Sequence, residues 1–590
     1  MTETISSDLL YKAILFGADR TRARREELNR INVFPVIDND TGNNLAHTMH
    51  YILTHARPHE NVRDTLHDIA RSALVGARGN SGVIFSQYFD GLYQQSAERQ
   101  GVSLQEMAAY FQEAYHKAYR AIEQPVEGTV ITLMRAWAVS FRESLEQRKS
   151  PREVFENALT RIRQSLEETK TTLQALKDLG IVDAGALGFY HFMDGFVHVL
   201  LGGSYAVSES AQDLPAIPAD VHTYELDANI RYRYCTEVLL ESDALDEKAI
   251  RNELHDLGDS LLLAATDNLA RIHLHTSRPW EMVRRVAARG RILEQKADDM
   301  VYQNLLAGPP EAGTAVVTDS IADIPAAYLH EHRIFQIPLN VIVDGVSFLD
   351  KITIDGAFLS EHMEEASSAQ LNTEQINTFL QPILDHYESV LILTVSSHMS
   401  GTHARFREVL GELDPASRKT ALVDTRSNSG AQGLLVREAA RMAADGVPLG
   451  EIASRMEAMR SRAKILVSVL DLGPMVRSGR ISERVGKLLI KLGFRPIVTI
   501  SPEGKGTIKG VAFSVEKNRK LLLRSLKGKT IEDYVIVHAS DPDRAESFRE
   551  ALVRLTGREP AYITDISAIV TLFAGHGAVA AAYLEALPEA

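Results

Sequence analysis

The chain has a single cysteine, Cys235, in 590 residues. An internal disulfide framework is therefore excluded. It also lacks a surplus of positive charge: 64 Lys and Arg stand against 78 Asp and Glu, a formal net charge of −14. That argues against nucleic acid as the main partner, because backbone phosphates demand a clustered basic surface. A local basic pocket stays open. No charge-free apolar run reaches the roughly 20 residues that a membrane-spanning helix needs. The nearest, 566–587, is rich in Ala and broken by Gly575-His576-Gly577, and it reads as a buried strand and helix. The opening MTETISSDLL lacks the basic and apolar regions of a secretory signal. A cytoplasmic protein without a membrane span is the expectation. What is present is ordinary: 45% apolar and 24% charged residues. The length exceeds one core and points to about three or four domains.

Residues 1–201 carry helical periodicity, with Leu9, Ala13 and Phe16 on one face of the first helix. Residues 202–218 are small, polar and Pro-containing, and read as a linker. Residues 219–307 alternate short apolar strands (236–240, 260–265, 271–275) with helices, a small α+β module. Residues 308–313 form a second linker. From 314 to 590 the pattern is strand–loop–helix. Apolar strands at 315–317, 390–393, 421–423, 465–467 and 535–537 are mostly followed by a polar residue: Asp319, Ser396, Asp424 and Ser540. Continuous apolar strands between helices predict a parallel sheet covered on both faces, with ligands at the strands' carboxyl ends. The expected fold is multidomain: all-α, then α+β, then α/β.

Four short segments carry the first chemistry. In NVFPVIDNDTGNN (32–44) the carboxylates Asp38 and Asp40 are one residue apart, on a turn that Pro35 starts and Gly42 ends. That suits a hard divalent cation such as Mg²⁺, and equally an Asx-rich helix cap. GARGNSG (76–82), PVEGT (125–129) and DAGALG (183–188) follow. Glycines let backbone N–H groups approach a phosphate, and a helix start favours its charge. Four such starts in one helical region read as one nucleotide pocket.

Together these segments resemble the L-subunit domain of dihydroxyacetone kinases, most closely its version in bacterial fatty acid kinases. The resemblance implies an antiparallel helical barrel that holds ATP through Mg²⁺ on Asp38 and Asp40. Thr41, Gly42, Asn44, Gly79, Asn80, Ser81, Gly82, Gly128, Thr129, Asp183 and Gly185 would surround the nucleotide. Three positions depart from that pattern: Asn39 and Ala186 stand in place of glycines, and Asn43 in place of a threonine. Asn39 tolerates a left-handed backbone better than most residues. A weakened or lost nucleotide site is the alternative.

In the middle module, Cys235 opens one strand, and His273 and His275 share a face of another. If the strands pair, the three suit Zn²⁺; otherwise they are a buried cysteine and two half-exposed histidines. YCTE and HLHT resemble the corresponding segments of fatty acid kinase middle domains, which implies a zinc site. Its expected role is structural or interfacial, since the sequence reveals no adjacent general base.

Beyond residue 314 several motifs occur in order: VTDSIADIP (317–325), IPLNV (337–341), FLD (348–350), SSHMSGT (396–402), VDTRS (423–427) and SGRIS (478–482). They resemble the DegV family, which binds fatty acids. The resemblance implies an acyl tunnel, with Ser368, Ser396, Ser397, Ser400, Gly401 and Thr402 near the carboxylate and Arg480 as its charge partner. Each also has a plainer reading: serines after strands are often turns, and Arg480 can pair with Glu483 or Asp471. The family's TSQP appears as Ser368-Ala369-Gln370-Leu371. Phe573 stands where a histidine is expected, and His576, three residues on, is the candidate replacement.

These parts combine into a leading expectation: ATP-dependent phosphorylation of a fatty acid carboxylate to an acyl phosphate, with kinase and lipid presenter on one chain. Arg480, Asp38 and Asp40 are its catalytic candidates. Fusion replaces a docking step by a high effective concentration. A carboxylate is already nucleophilic, which agrees with the lack of a Ser-His-Asp device. A lipid-binding carrier or sensor is the alternative. A dihydroxyacetone kinase proper ranks last, because the domain that holds its substrate covalently on a histidine is not evident. Expected partners are a long-chain fatty acid, ATP, an acyltransferase consuming the acyl phosphate, and a second copy of the chain.

Overall fold

The computed structural model describes residues 4–33, 40–123, 125–204, 230–309, 311–478 and 483–586. They form two compact units, 1–308 and 309–590.

In the first unit the helices are α1 (Ser7–Arg22), α2 (Arg25–Arg30), α3 (Thr41–His55), α4 (Val62–Gly76), α5 (Gly79–Gln95), α6 (Leu104–Ala121), α7 (Val130–Glu146), α8 (Pro151–Thr172), α9 (Gln174–Leu179) and α10 (Ala184–Leu200). Local signals set several starts. Ser103 with Glu106 and Ser150 with Glu153 form capping boxes, and Asn61 caps α4. Packing runs α1-α3-α4-α5-α6-α7-α8-α10 and returns to α1, which closes a ring of helices. Gly17 and Gly195 let α1 and α10 cross closely; a Cβ on Gly195 would lie 2.9 Å from Gly17 Cα. Aromatic side chains fill the interior. Phe111 meets Trp137 and Phe141 edge-on, with centroids 5.4 and 5.1 Å apart.

Short strands β1 (Thr4–Ser6) and β2 (Gly101–Ser103) pair beside the helices. The middle module forms an antiparallel sheet of β3 (Tyr234–Glu241), β4 (Gly258–Thr266), β5 (Leu269–Thr276) and β6 (Arg291–Asp299), in the order β4-β5-β3-β6. Strands β4 and β5 pack on α4 and α5, and Leu262, Ala264 and Leu269 join the helices' own core. The module is thus built into the first unit.

The second unit holds β7 (Glu311–Asp319), β8 (Ile334–Ile337), β9 (Asn340–Val343), β10 (Val346–Leu349), β11 (Ala366–Ala369), β12 (Tyr387–Thr394), β13 (Thr420–Asp424), β14 (Ala463–Ser468), β15 (Arg495–Ile500), β16 (Gly506–Ala512), β17 (Ile531–His538), β18 (Ile563–Asp565) and β19 (Val579–Glu585). The expected parallel sheet is present as β13-β12-β7-β8. The strands at 465–467 and 535–537 belong elsewhere. They are β14 and β17 of a second sheet, β16-β15-β14-β19-β17-β18, antiparallel except where β17 meets β18. Continuous apolar runs could not separate the two cases, because β14, β17 and β19 are covered on both faces. The run after Ile566 is the predicted helix and strand, Ala568–Ala574 followed by β19. Helix Ser429–Ala444 lies between the sheets, its Leu434 and Leu435 sharing a core with Val316, Leu391, Ile465 and Val535. The second linker is shorter than expected, since β7 already begins at Glu311. Among the described residues no helix is long and apolar enough to cross a membrane.

Candidate functional site

All four predicted glycine-rich or Asx-rich segments lead into helix N-termini, those of α3, α5, α7 and α10. The structure brings these termini together. Gly79, at φ +58, lies so close to Asn44 that a Cβ there would collide with its amide. A Cβ on Gly185 would sit 3.5 Å from Ser81 Oγ and 3.6 Å from Val130 Cβ. Asp183 ties two termini: its carboxylate accepts from Ala186 N at 2.7 Å and also faces the N–H groups of Gly185 and Val130. Burial pushes this carboxyl up to about 6, against those three donors. Aligned N–H groups and helix dipoles make such a junction attractive to phosphate.

Asp40 is the residue before α3, half-buried, and its side chain does not cap the helix. Asp38 and Asn39 lie outside the described residues. Thr41 is buried and donates to Asn32 Oδ1 at 2.8 Å. Gly42 is required by packing, because a Cβ there would strike Arg25 O. Gly82 abuts Thr48, and Asn80 Oδ1 is buried without a hydrogen-bond partner. Gly128, at φ +87, donates its N–H to Thr132 Oγ1 at 2.9 Å, and Thr129 Oγ1 donates to Val126 O.

Strands β3 and β5 pair with Cys235 opposite His275 and Glu237 opposite His273. The predicted convergence follows: one donor atom from each of Cys235, His273 and His275 lies within 4.8 Å of the others, with Cys235 Sγ 3.7 Å from His273 Nδ1. Both histidines are buried, and His273 Nε2 has no hydrogen-bond partner. Burial pushes the Cys235 thiol well up, and Glu237, Asp298 and Asp40 add to that. Burial and His273 push His275 down to about 3. A neutral imidazole and a thiol hemmed in by carboxylates fit a thiophilic divalent cation. Three protein ligands leave a fourth position for another group.

One expectation is corrected here: an acid–base group is adjacent. Glu237 is buried, its Oε1 lies 3.4 Å from His273 Nδ1, and the same oxygen accepts the N–H of Gly79 at the start of α5. Burial opposes its ionisation, but His273, Lys296 and Arg271 hold its carboxyl well below the usual range. The signal was in the sequence, since residues 235 and 237 share a strand face. Nearby, Glu294 pairs with Arg78 and with the buried Arg271, 3.3 Å away. The cluster therefore adjoins the nucleotide-type junction.

The second unit contains an apolar cavity of about 890 Å³, mouth included. Ile465, Val467, Val498, Val537, Ile566 and Phe573 are among its walls; Ser400, Asn428, Ser429 and Thr499 supply polar edges. Of the predicted residues, Ser400 lines it directly, and Thr402 pairs with Ser400 at 2.8 Å. Ser396 is turned to Gly504 O at 2.7 Å, and Ser397 to Asp424 at 2.6 Å. Gly401 sits against Gln370, and Ser368 is exposed on β11. Arg480 lies outside the described residues. His576 is exposed and outside the lining, whereas Phe573 is part of it. The expected substitution of His576 for the missing histidine is not what the structure shows: Gly575 and Gly577, both at positive φ, turn the chain between them. Asn428 and Ser429, which directly follow the VDTRS motif, line the cavity as well. Ser429 Oγ donates to the buried Asp323 at 2.5 Å.

Comparison with known proteins divides the chain in three. Residues 35–198 match the DAK2 domain, 231–305 the FakA-like middle domain of fatty acid kinases, and 313–586 the uncharacterised DegV family. Uncharacterized proteins of Staphylococcus epidermidis and Staphylococcus haemolyticus are each 30% identical over 317 residues, 52% of this chain and 57% of theirs. The chain thus spans little more than half the length of these relatives. Among solved structures, a fatty-acid-binding DegV family protein from Thermus thermophilus aligns with 46% of this chain and all of its own, at 22% identity and a TM-score of 0.43. DegV, a fatty acid binding protein from Bacillus subtilis, covers 47% of this chain and all of its own, at 21% identity and a TM-score of 0.42.

Proposed function

From one chain that carries a DAK2 domain, a FakA-like middle domain and a DegV domain, we propose an ATP-dependent fatty acid kinase that makes an acyl phosphate. That combination is the observation that carries the reading. Two features support it: the junction of four helix N-termini beside Asp40, and the apolar cavity of the second unit.

The termini of α3, α5, α7 and α10 would hold the nucleotide phosphates through backbone N–H groups, with Asp183 keeping α7 and α10 in register. Mg²⁺ held by Asp38 and Asp40 would neutralise charge on the β- and γ-phosphates. The second unit would bury the acyl chain and leave its carboxylate at the polar edge near Ser400. A carboxylate oxygen then bonds to the γ-phosphorus, the bond from that phosphorus to the bridging oxygen breaks, and ADP leaves with the electron pair. No proton has to move. Zinc held by Cys235, His273 and His275 would fix the middle sheet against the start of α5.

The test is ADP release with and without a long-chain fatty acid, with the acyl phosphate trapped by hydroxylamine. Fatty-acid-dependent release together with the hydroxamate is expected. One observation favours the non-catalytic carrier, namely that Glu237 already occupies the Gly79 N–H. Tight lipid binding without any fatty-acid-dependent ADP release would select it.

A further inference from the structure

Glu237 stands where two sites meet. It is only 2% exposed, and its Oε1 takes the first amide of a 17-residue helix while lying 3.4 Å from the ring of His273. Its Oε2 is buried with no hydrogen-bond partner. The neighbouring cations do not account for that oxygen: Arg78 and Arg271 both pair with Glu294, and Lys296, opposite Glu237 in the sheet, pairs with Asp298. A helix N-terminus welcomes one anion, and the N–H that Glu237 holds is the one a phosphate oxygen would take. Two anions at one such amide repel each other.

We propose that Glu237 is a positioning residue that fills the phosphate place at Gly79 in the nucleotide-free protein and swings towards the Cys235–His273–His275 cluster when a phosphate arrives. Nucleotide occupancy would then set the geometry of that cluster. The inference rests on reading the start of α5 as a phosphate site. It goes further in naming the group that must yield and the residues that sense it. A residue that merely holds the sheet on the helix would lower nucleotide affinity when lost. A stand-in for phosphate raises it.

The experiment measures Mg-ADP binding by calorimetry to the full chain, its Glu237→Gln variant and its Glu237→Ala variant. Glu237→Gln keeps an oxygen for the Gly79 N–H and removes the charge, so about fivefold tighter binding or more is expected. Glu237→Ala is expected to move in the same direction. A second readout needs no variant. Cys235 is the only cysteine, so alkylation by iodoacetamide reports one site. In protein stripped by a zinc chelator, Mg-ADP is expected to change its rate about threefold or more in the wild type, and not in Glu237→Gln. Unchanged or weaker Mg-ADP binding in variants with an unaltered thermal transition overturns the inference. So does a wild-type Cys235 rate indifferent to bound Mg-ADP. Either result leaves the kinase reading standing. If neither the wild type nor the variants bind Mg-ADP, the kinase reading falls and this inference with it.

Discussion

Ala580→Phe tests whether the cavity is the acyl site. Ala580 is a 4%-exposed residue on β19, paired with Val467 of β14 and Val537 of β17, and all three line the cavity. A phenyl ring there projects into the space an acyl chain would take. Each methylene transferred from water to an apolar wall is worth about 0.8 kcal/mol. A ring that excludes about four chain carbons therefore costs a long-chain ligand about 3 kcal/mol, or roughly 200-fold in affinity. Short acids that never reach the ring lose little. The assay is fatty acid binding across a chain-length series. Affinity in the wild type climbs with each added carbon, and in the variant it levels off about four carbons earlier. Overpacking itself can cost about 1–3 kcal/mol of stability, so the thermal transition is followed in parallel. A folded variant with an unaltered chain-length profile would place the lipid elsewhere and end the cavity argument.

Other perturbations separate the remaining parts. Asp38→Ala combined with Asp40→Ala should abolish fatty-acid-dependent ADP release and leave lipid binding intact, as a binding titration alongside the kinase assay would show. Cys235→Ser should lower bound zinc, measured by elemental analysis of the purified protein, by about tenfold or more, because a hydroxyl is a poor substitute for a thiolate. Asp183→Asn addresses pH. The folded carboxyl sits at about 6 against an ordinary 3.8, so the folded state holds the proton longer, and this group's contribution to stability falls as pH rises from about 4 to 6. A shift of that size is worth about 3 kcal/mol at most, so the variant should gain on the wild type in thermal stability above pH 6 and show no such gain near pH 4. Phe573→His should tighten binding of a fatty acid relative to the matching alcohol, because it returns a donor to the cavity wall.

The sequence made the local chemistry legible and left the long-range pairings hidden. The helix starts at Thr41, Gly79, Val130 and Ala184 follow from glycine- or Asx-bearing segments a few residues long, of which Asp183 alone caps its helix with a side chain. The Cys235–His273–His275 cluster needed one further step, the two-residue period of paired strands. The contact of Glu237 with Gly79 could not be read, because it spans 158 residues and depends on how the sheet packs against α5. The same holds for the second sheet. The strands at 465–467 and 535–537 are as apolar as those of a parallel sheet, and only their partners, β19 for both and β15 for β14, make them antiparallel. Ser396 and Ser397 show the converse: serines after a strand suggest ligand donors, yet each spends its hydroxyl on a neighbouring loop or carboxylate.

The departures from the family pattern carry unequal weight once they are placed. Asn43 is engaged by Asn29, whose side chain accepts its N–H at 3.0 Å and donates to its side-chain carbonyl oxygen at 3.1 Å, so the replaced threonine is absorbed within the α2–α3 corner. Ala186 contributes only its backbone N–H, given to Asp183, and its buried methyl group fits where glycine would leave space. Neither change removes a donor from the junction of helix starts. Phe573 is different. It replaces a polar ring by an apolar one on the cavity wall, and exposed His576 does not restore the donor. Among the described polar residues of the lining, Ser429 donates its hydroxyl to Asp323, Thr499 donates its own to Ile465 O, Ser400 pairs with Thr402, and Asn428 Oδ1 is buried without a partner. A carboxylate at this edge would compete with those bonds for a hydrogen, which is why Phe573→His is expected to tighten its hold.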